Sequence, residues 1–163
     1  MDIAFHIASS AMLSIAVTGR VLPEAIIFGV LPDIIGSTPF YVAAIKKSKN
    51  FKESSKKFLK ETFHGYTDRL AYKITHSFSV TPLIIFLAAL FFRESWYLGV
   101  MAYLLHLLVD IPTHNKHFSL ELFFPISHFK FKFGKYWKKD NWAFYSSWSI
   151  LGLLIVFQLI FFL

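Results

Sequence analysis

The segment from Trp142 to Leu163, WAFYSSWSILGLLIVFQLIFFL, carries no charge from end to end. A run of that length and polarity suffices to cross the hydrocarbon core of a bilayer as one helix, and it constrains the chain more than any other feature. It lies at the C-terminal end, the wrong place for a cleaved secretory signal. The rest of the chain is of the same kind. Apolar residues make up 55% of the 163 residues, and phenylalanine alone contributes 20. A soluble domain this small keeps too much surface exposed to bury that load. Shorter apolar segments run over Ile3–Thr18, Ala25–Ile35, Ser79–Phe92 and Trp96–Ile111; their lengths suit helices shielded by protein or partly inserted. The expectation is an all-α fold, a multi-pass transmembrane helical bundle in a single domain. Residues 1–141 form its helical body, with a basic excursion at about 41–75, and 142–163 its last transmembrane helix.

The net charge of +7 raises the question of nucleic acid, but the bases are not spread as a groove would need. Nine Lys and Arg against three acids lie between Tyr41 and His76, and six against two between Pro112 and Asn141; only Arg20 and Arg93 fall elsewhere. Bases confined to two inter-helix segments read as topology signals and contacts with anionic lipid, so no nucleic-acid partner is expected and the bilayer is. With both basic segments cytoplasmic, the turns at Arg20–Glu24 and Arg93–Ser95 become external. The chain is then a multi-pass protein of the cell membrane. There is no cysteine, which excludes thiolate metal sites, disulfides and a Cys nucleophile.

On that topology several polar residues arrive at one level. His6 opens the first helix; Asp33 lies where the second returns; His76 opens the third; His106 and Asp110 occupy the end of the fourth, with His114 directly after. His106 and Asp110 are one helical turn apart on one face. Pro112 disfavours helix at Ile111, so the chain is expected to turn there and fold Thr113 and His114 back over the site. A carboxylate as deep as Asp33 costs several kcal/mol unless it is paired or bound to metal. The candidate metal ligands are therefore His6, Asp33, His76, His106, Asp110 and His114, placed at the cytoplasmic face. Each also has a structural reading: Asp110 as a cap or a partner of Lys116, Asp33 as a helix-terminal residue before a Gly36-Ser37-Thr38-Pro39 turn. His64 and His128 read as loop residues. His117 and Glu121, four apart, offer a second pair without independent support. Ser9, Ser10 and Ser77 lack the Gly-x-Ser-x-Gly elbow of a serine hydrolase.

Four motifs carry a resemblance: Leu31-Pro32-Asp33-Ile34; Tyr72-Lys73-Ile74-Thr75-His76-Ser77; the stretch from His106 through Asp110 and Pro112 to His114; and Leu122-Phe123-Phe124-Pro125-Ile126-Ser127. In this order, over roughly Met1 to Trp137, the sequence resembles the membrane-bound metal-dependent hydrolases of bacteria and archaea. That family is similar in turn to the all-helical zinc-dependent phospholipase C fold. The resemblance implies a phospholipase C-like core and a hydrolase-like domain over 1–141. In it His6 is the N-terminal ligand, Asp33 the Asp of a Pro-Asp motif, His76 the central His, Asp110 a residue able to bridge two ions, and His114 the lead to another ion. The chain departs from the secreted phospholipases in lacking an N-terminal Trp and a later His-x3-Glu pair at the usual distance, which favours one or two ions over three.

These readings converge on a membrane-bound metal-dependent hydrolase. Mixed His and carboxylate ligands suit Zn²⁺, and an open position on such a site makes water a nucleophile near neutral pH. Asp33 or Asp110 is the candidate catalytic base, and a phosphoester, on a phospholipid or another anionic lipid-linked molecule, is the expected substrate. The alternative is a metal-binding membrane protein without catalysis, such as a sensor, transporter or assembly factor.

Overall fold

A computed structural model describes residues 3–46, 70–114, 119–131 and 142–162. They form six helices: α1 (Ile3–Thr18), α2 (Pro23–Lys46), the short α3 (Leu70–Thr75), α4 (Thr81–Phe91) after a single 3₁₀ turn, α5 (Trp96–Thr113) and α6 (Trp142–Phe162). No strand is present among the described residues; one isolated antiparallel bridge joins Leu120 to Phe131. The all-α expectation holds.

The first hairpin shows how local sequence sets these boundaries. Gly19 takes a left-handed conformation (φ 74°), and its N–H bonds the Ile15 carbonyl at 2.8 Å, the ordinary way a helix is stopped by glycine. Pro23 then begins α2, where its missing N–H costs nothing. Between them the buried Ser14 hydroxyl donates to the Arg20 carbonyl (2.9 Å) and accepts from Leu22 N–H (2.9 Å), so one side chain braces the whole turn.

Helix α5 is the axis, with α1, α2 and α4 packed on it. Its buried residues include Gly99, Tyr103, His106, Asp110 and Thr113, a continuous inner stripe at three- and four-residue spacing. Two glycines allow the helices to approach this closely. A Cβ on Gly29 of α2 would overlap the Ser10 hydroxyl of α1, and one on Gly99 would lie 2.6 Å from the Phe28 ring. The apolar core gathers Phe28, Tyr72, Ile84, Val100, Tyr103, Leu107, Leu120 and Leu122. Helix α6 leans on α1, where Trp148 meets the Phe5 ring edge-on at 5.5 Å and the Gln158 amide donates to the Met12 carbonyl.

Large apolar side chains also face outward on every long helix: Ile7 and Val17, Ile27 and Ile34, Phe86 and Leu90, Met101 and Leu108, Leu153 and Ile160. Among the described residues one helix, Trp96–Thr113, is long and apolar enough to cross a membrane; the apolar stretches Ile3–Thr18, Phe78–Phe91 and Tyr145–Gln158 are shorter.

Two prolines behave otherwise than the sequence leads one to expect. Helix α2 runs unbroken through Pro32 and Pro39, so Gly36-Ser37-Thr38-Pro39 is helix, not turn; the Thr38 hydroxyl bonds the Ile34 carbonyl at 2.6 Å. Helix α5 continues through Ile111 and Pro112 to Thr113. There the Thr113 hydroxyl bonds the Val109 and Asp110 carbonyls, and His114 N–H bonds Asp110. These contacts hold the last turn in spite of the proline. His76 likewise follows a short helix instead of opening a long one.

Candidate metal centre

Six side chains meet where α1, α2, α3 and α5 converge, and all six are buried: His6, Asp33, His76, His106, Asp110 and His114. Two triads lie close enough to share an ion, His6–Asp33–His106 and His76–His106–Asp110, each with donor atoms within 4.8 Å of one another.

The local sequence decides which atom each ring presents. His76 and His114 each follow a threonine at a helix end, and both use the same device. His76 Nδ1–H donates to the Tyr72 carbonyl four residues back (3.1 Å), and His114 Nδ1–H donates to the Asp110 carbonyl four residues back (2.8 Å). Thr75 and Thr113 lie beside those nitrogens at 3.2 and 3.3 Å. His106 Nδ1–H donates across to the Gly29 carbonyl on α2 at 2.8 Å. With Nδ1 protonated, each ring turns a bare Nε2 lone pair inward.

The inward-facing nitrogens of His76, His106 and His114 are therefore acceptors, as are the carboxylate oxygens around them. His76 Nε2 stands 3.4 Å from His106 Nε2. Asp33 Oδ1 is 3.4 Å from His76 Nε2, Asp110 Oδ2 is 3.4 Å from His106 Nε2, and Asp110 Oδ1 is 3.4 Å from His6 Nε2. These separations exceed N–H···O hydrogen bonds, about 2.7–3.2 Å. They equal the donor–donor edge, roughly 3.4 Å, of a tetrahedron with metal bonds of about 2.0–2.2 Å. Both oxygens of Asp110 and Oδ2 of Asp33 are buried without a hydrogen-bond partner among the described residues. Asp110 is fully buried. Leaving such a charge unmatched costs several kcal/mol. The donor set fits a divalent cation.

His114 stands at the rim. Its Nε2 is 3.9 Å from Asp110 Oδ2 and accepts a hydrogen bond from the Tyr72 hydroxyl at 3.1 Å, and it belongs to neither triad. The sequence reading overlooked Tyr72, which also stacks on His76 with ring centroids 4.0 Å apart; its place four residues before His76 was the available signal. It overlooked the Gly29 carbonyl too, for which residue types give no signal.

Glu121 is buried away from both triads, with Lys73 at 3.1 Å, His128 at 3.0 Å and Lys130 at 3.7 Å. Burial works against its charge. The hydrogen bonds from His128 and Lys73 and the charges of Lys73 and Lys130 outweigh it and hold the carboxyl below its ordinary value. Glu121 is thus matched by cations. His117, His64 and Lys116 lie outside the described residues. The serines are engaged structurally: Ser77 donates to the Leu122 and Phe124 carbonyls, and Ser9 to that of His6.

Neither a curated protein nor a solved structure matches the chain. A family model described as YdjM inner membrane protein matches residues 1–163, the whole of the sequence. A helical body with apolar side chains facing outward on every long helix agrees with a membrane setting, and the chain belongs to the YdjM inner membrane protein family.

Proposed function

We propose that this protein is a multi-pass membrane metalloenzyme that hydrolyses a phosphoester, with a phospholipase C-like core. The observation that carries the metal is the inward set of donor atoms: two imidazole Nε2 atoms 3.4 Å apart, with carboxylate oxygens of Asp33 and Asp110 3.4–3.9 Å from them. An imidazole nitrogen serves one ion at a time, and both triads use His106. One ion anchored on His106 is therefore the base stoichiometry. Asp110 would help to hold a second, since its Oδ1 lies nearest His6 and its Oδ2 lies near His76, His106 and His114.

His6, Asp33, His76, His106 and Asp110 would hold the ion, and Zn²⁺ suits this mixed set. Such an ion, when bound, makes water a usable nucleophile near neutral pH and offsets charge developing on a phosphoryl oxygen. The residues do the rest. Gly29, Tyr72 and Asp110 backbone carbonyls fix the rings, and helix packing keeps bulk water out. Asp33, whose Oδ2 has no hydrogen-bond partner among the described residues, is the group placed to take a proton. A site at the cytoplasmic face, near the basic segments, favours an anionic lipid-linked substrate.

The burial of all six donors favours a second reading, a metal-binding membrane protein without turnover. One experiment separates them. Purified protein is assayed for metal content and for phosphate or headgroup release from lipids in mixed micelles, beside His106→Ala. Stoichiometric zinc and metal-dependent release, both lost in the variant, are the expected result. Metal without release over a broad lipid panel leaves only the second reading; no metal ends both.

A further inference from the structure

The described stretch 119–131 follows the metal centre and crosses α3 without forming a helix. It is tied to the centre by backbone: Phe78 N–H donates to the Leu122 carbonyl at 2.8 Å, and the Ser77 hydroxyl donates to Leu122 and Phe124 at 3.0 and 2.6 Å. Ser77 is the residue after His76. The near side of the loop is packed, with Leu120 and Leu122 in the core. The far side is not: Phe123, Ile126 and Phe129 are 46%, 85% and 58% exposed.

Such a surface suits neither water nor hydrocarbon. Three large apolar side chains projecting from one short loop form the kind of patch that marks a contact site. Yet an irregular backbone facing lipid tails would leave N–H and C=O groups unmatched, which the hydrocarbon core does not tolerate. The layer between, where headgroups meet the first methylenes, accepts aromatic rings and lysines together. The charge agrees. Buried Glu121 gathers Lys73, Lys130 and the largely exposed His128, so one acid stands against two lysines and an imidazole. The sequence then continues through Lys132, Lys135, Lys138 and Lys139. A cationic base carrying apolar prongs complements an anionic lipid surface.

We infer that the 119–131 loop is an interfacial foot, which presses Phe123, Ile126 and Phe129 into the headgroup layer of an anionic leaflet on the side of the metal centre. The foot stands whether or not the centre holds metal. Because Ser77 couples it to His76, it also sets the depth at which the centre meets the bilayer.

The chain has no cysteine, so Ile126→Cys supplies a single site for a nitroxide label on the full-length protein. At 85% exposure the exchange leaves the core alone; Phe129→Cys gives a second, independent site. In nanodiscs of phosphatidylcholine with phosphatidylglycerol, collisions with oxygen should exceed those with a water-soluble nickel chelate several-fold. In phosphatidylcholine alone the ratio should fall toward the aqueous side, as it should when Lys73→Gln and Lys130→Gln are combined in the mixed lipid. Both labels fully open to the nickel chelate in both lipids would overturn the foot. Equal depth in the two lipids would overturn its preference for anionic lipid. Labels shielded from both reagents would overturn it in favour of a protein contact, by a second copy or another chain.

Discussion

Asp110 is fully buried, and neither of its oxygens has a hydrogen-bond partner among the described residues; imidazole nitrogens stand 3.4–3.9 Å away. Its charge therefore has opposite consequences with and without a cation. In chelator-treated protein, Asp110→Asn removes an uncompensated buried charge and should stabilise the fold, by about 1–3 kcal/mol. In the presence of zinc the same change removes a ligand, and the stabilisation that binding confers on the folded state should largely vanish. Thermal denaturation with and without zinc checks both signs. A variant already less stable than the parent in chelator, or a parent indifferent to zinc, would remove the charge argument. At this scale much was legible beforehand. The His-x3-Asp spacing in α5 and the isolated Asp33 in an apolar stretch pointed inward, because neither type persists there unmatched. The turn of each ring was not legible. It depends on carbonyls of Tyr72, Asp110 and Gly29, and backbone acceptors are the same for every residue type.

At the scale of elements, the centre depends on how closely α1 and α2 cross. Ser10 fills the space in which any Cβ on Gly29 would sit, and Gly29 also supplies the carbonyl that orients His106. Gly29→Ala should cost about 1–3 kcal/mol by overpacking and weaken zinc binding by shifting His6 on α1 against Asp33 and His106. Ser10→Gly, added to Gly29→Ala, should restore much of both, so a double-mutant cycle should show coupling of about 0.5–3 kcal/mol. Independent effects would mean that the crossing is not what holds the triads. The loop over α3 has its own pH dependence. Glu121 lies below its ordinary value, so its ion pairs contribute fully above the unfolded carboxyl pKa, and that contribution is lost as pH falls through the lower folded value. Glu121→Gln should flatten this part of the acid limb, read as hydrogen-exchange protection of residues 119–131 as pH is taken below the ordinary glutamate pKa. An acid limb unchanged in the variant would assign it to other carboxylates. Helix α1 follows its apolar segment end to end, whereas α2 and α5 overrun theirs because threonine hydroxyls and capping N–H groups secure the turns around Pro39 and Pro112. Tertiary packing of that kind is invisible to local propensity.

At the scale of the whole molecule, the question is which side of the membrane the centre faces. Helix α1 has 16 residues and rises about 24 Å at 1.5 Å per residue, less than the roughly 30 Å of a hydrocarbon core. In the proposed multi-pass bundle the short α1 and α4 would be shielded by α2 and α5 over part of their length, and the turns between them would lie close to the membrane surface. The centre is built at the ends of these helices remote from both turns: His6 begins α1, while Asp110 and His114 end α5. In that bundle both turns would share one side and the centre would take the other. On the proposed topology, the lysine bias assigns the centre to the cytoplasmic side. Single cysteines in this cysteine-free chain test the arrangement directly. In intact spheroplasts an impermeant maleimide should label Val21→Cys and Glu94→Cys, and should label Ser54→Cys, in the basic segment, only after the membrane is opened. The full reverse would turn the molecule over, presenting the same centre to the opposite leaflet. Labelling of Val21→Cys and Glu94→Cys from different sides would be inconsistent with any bundle in which α1 and α5 bring their ligands to one level, and the shared geometry of His6, His106 and Asp110 would then need another explanation.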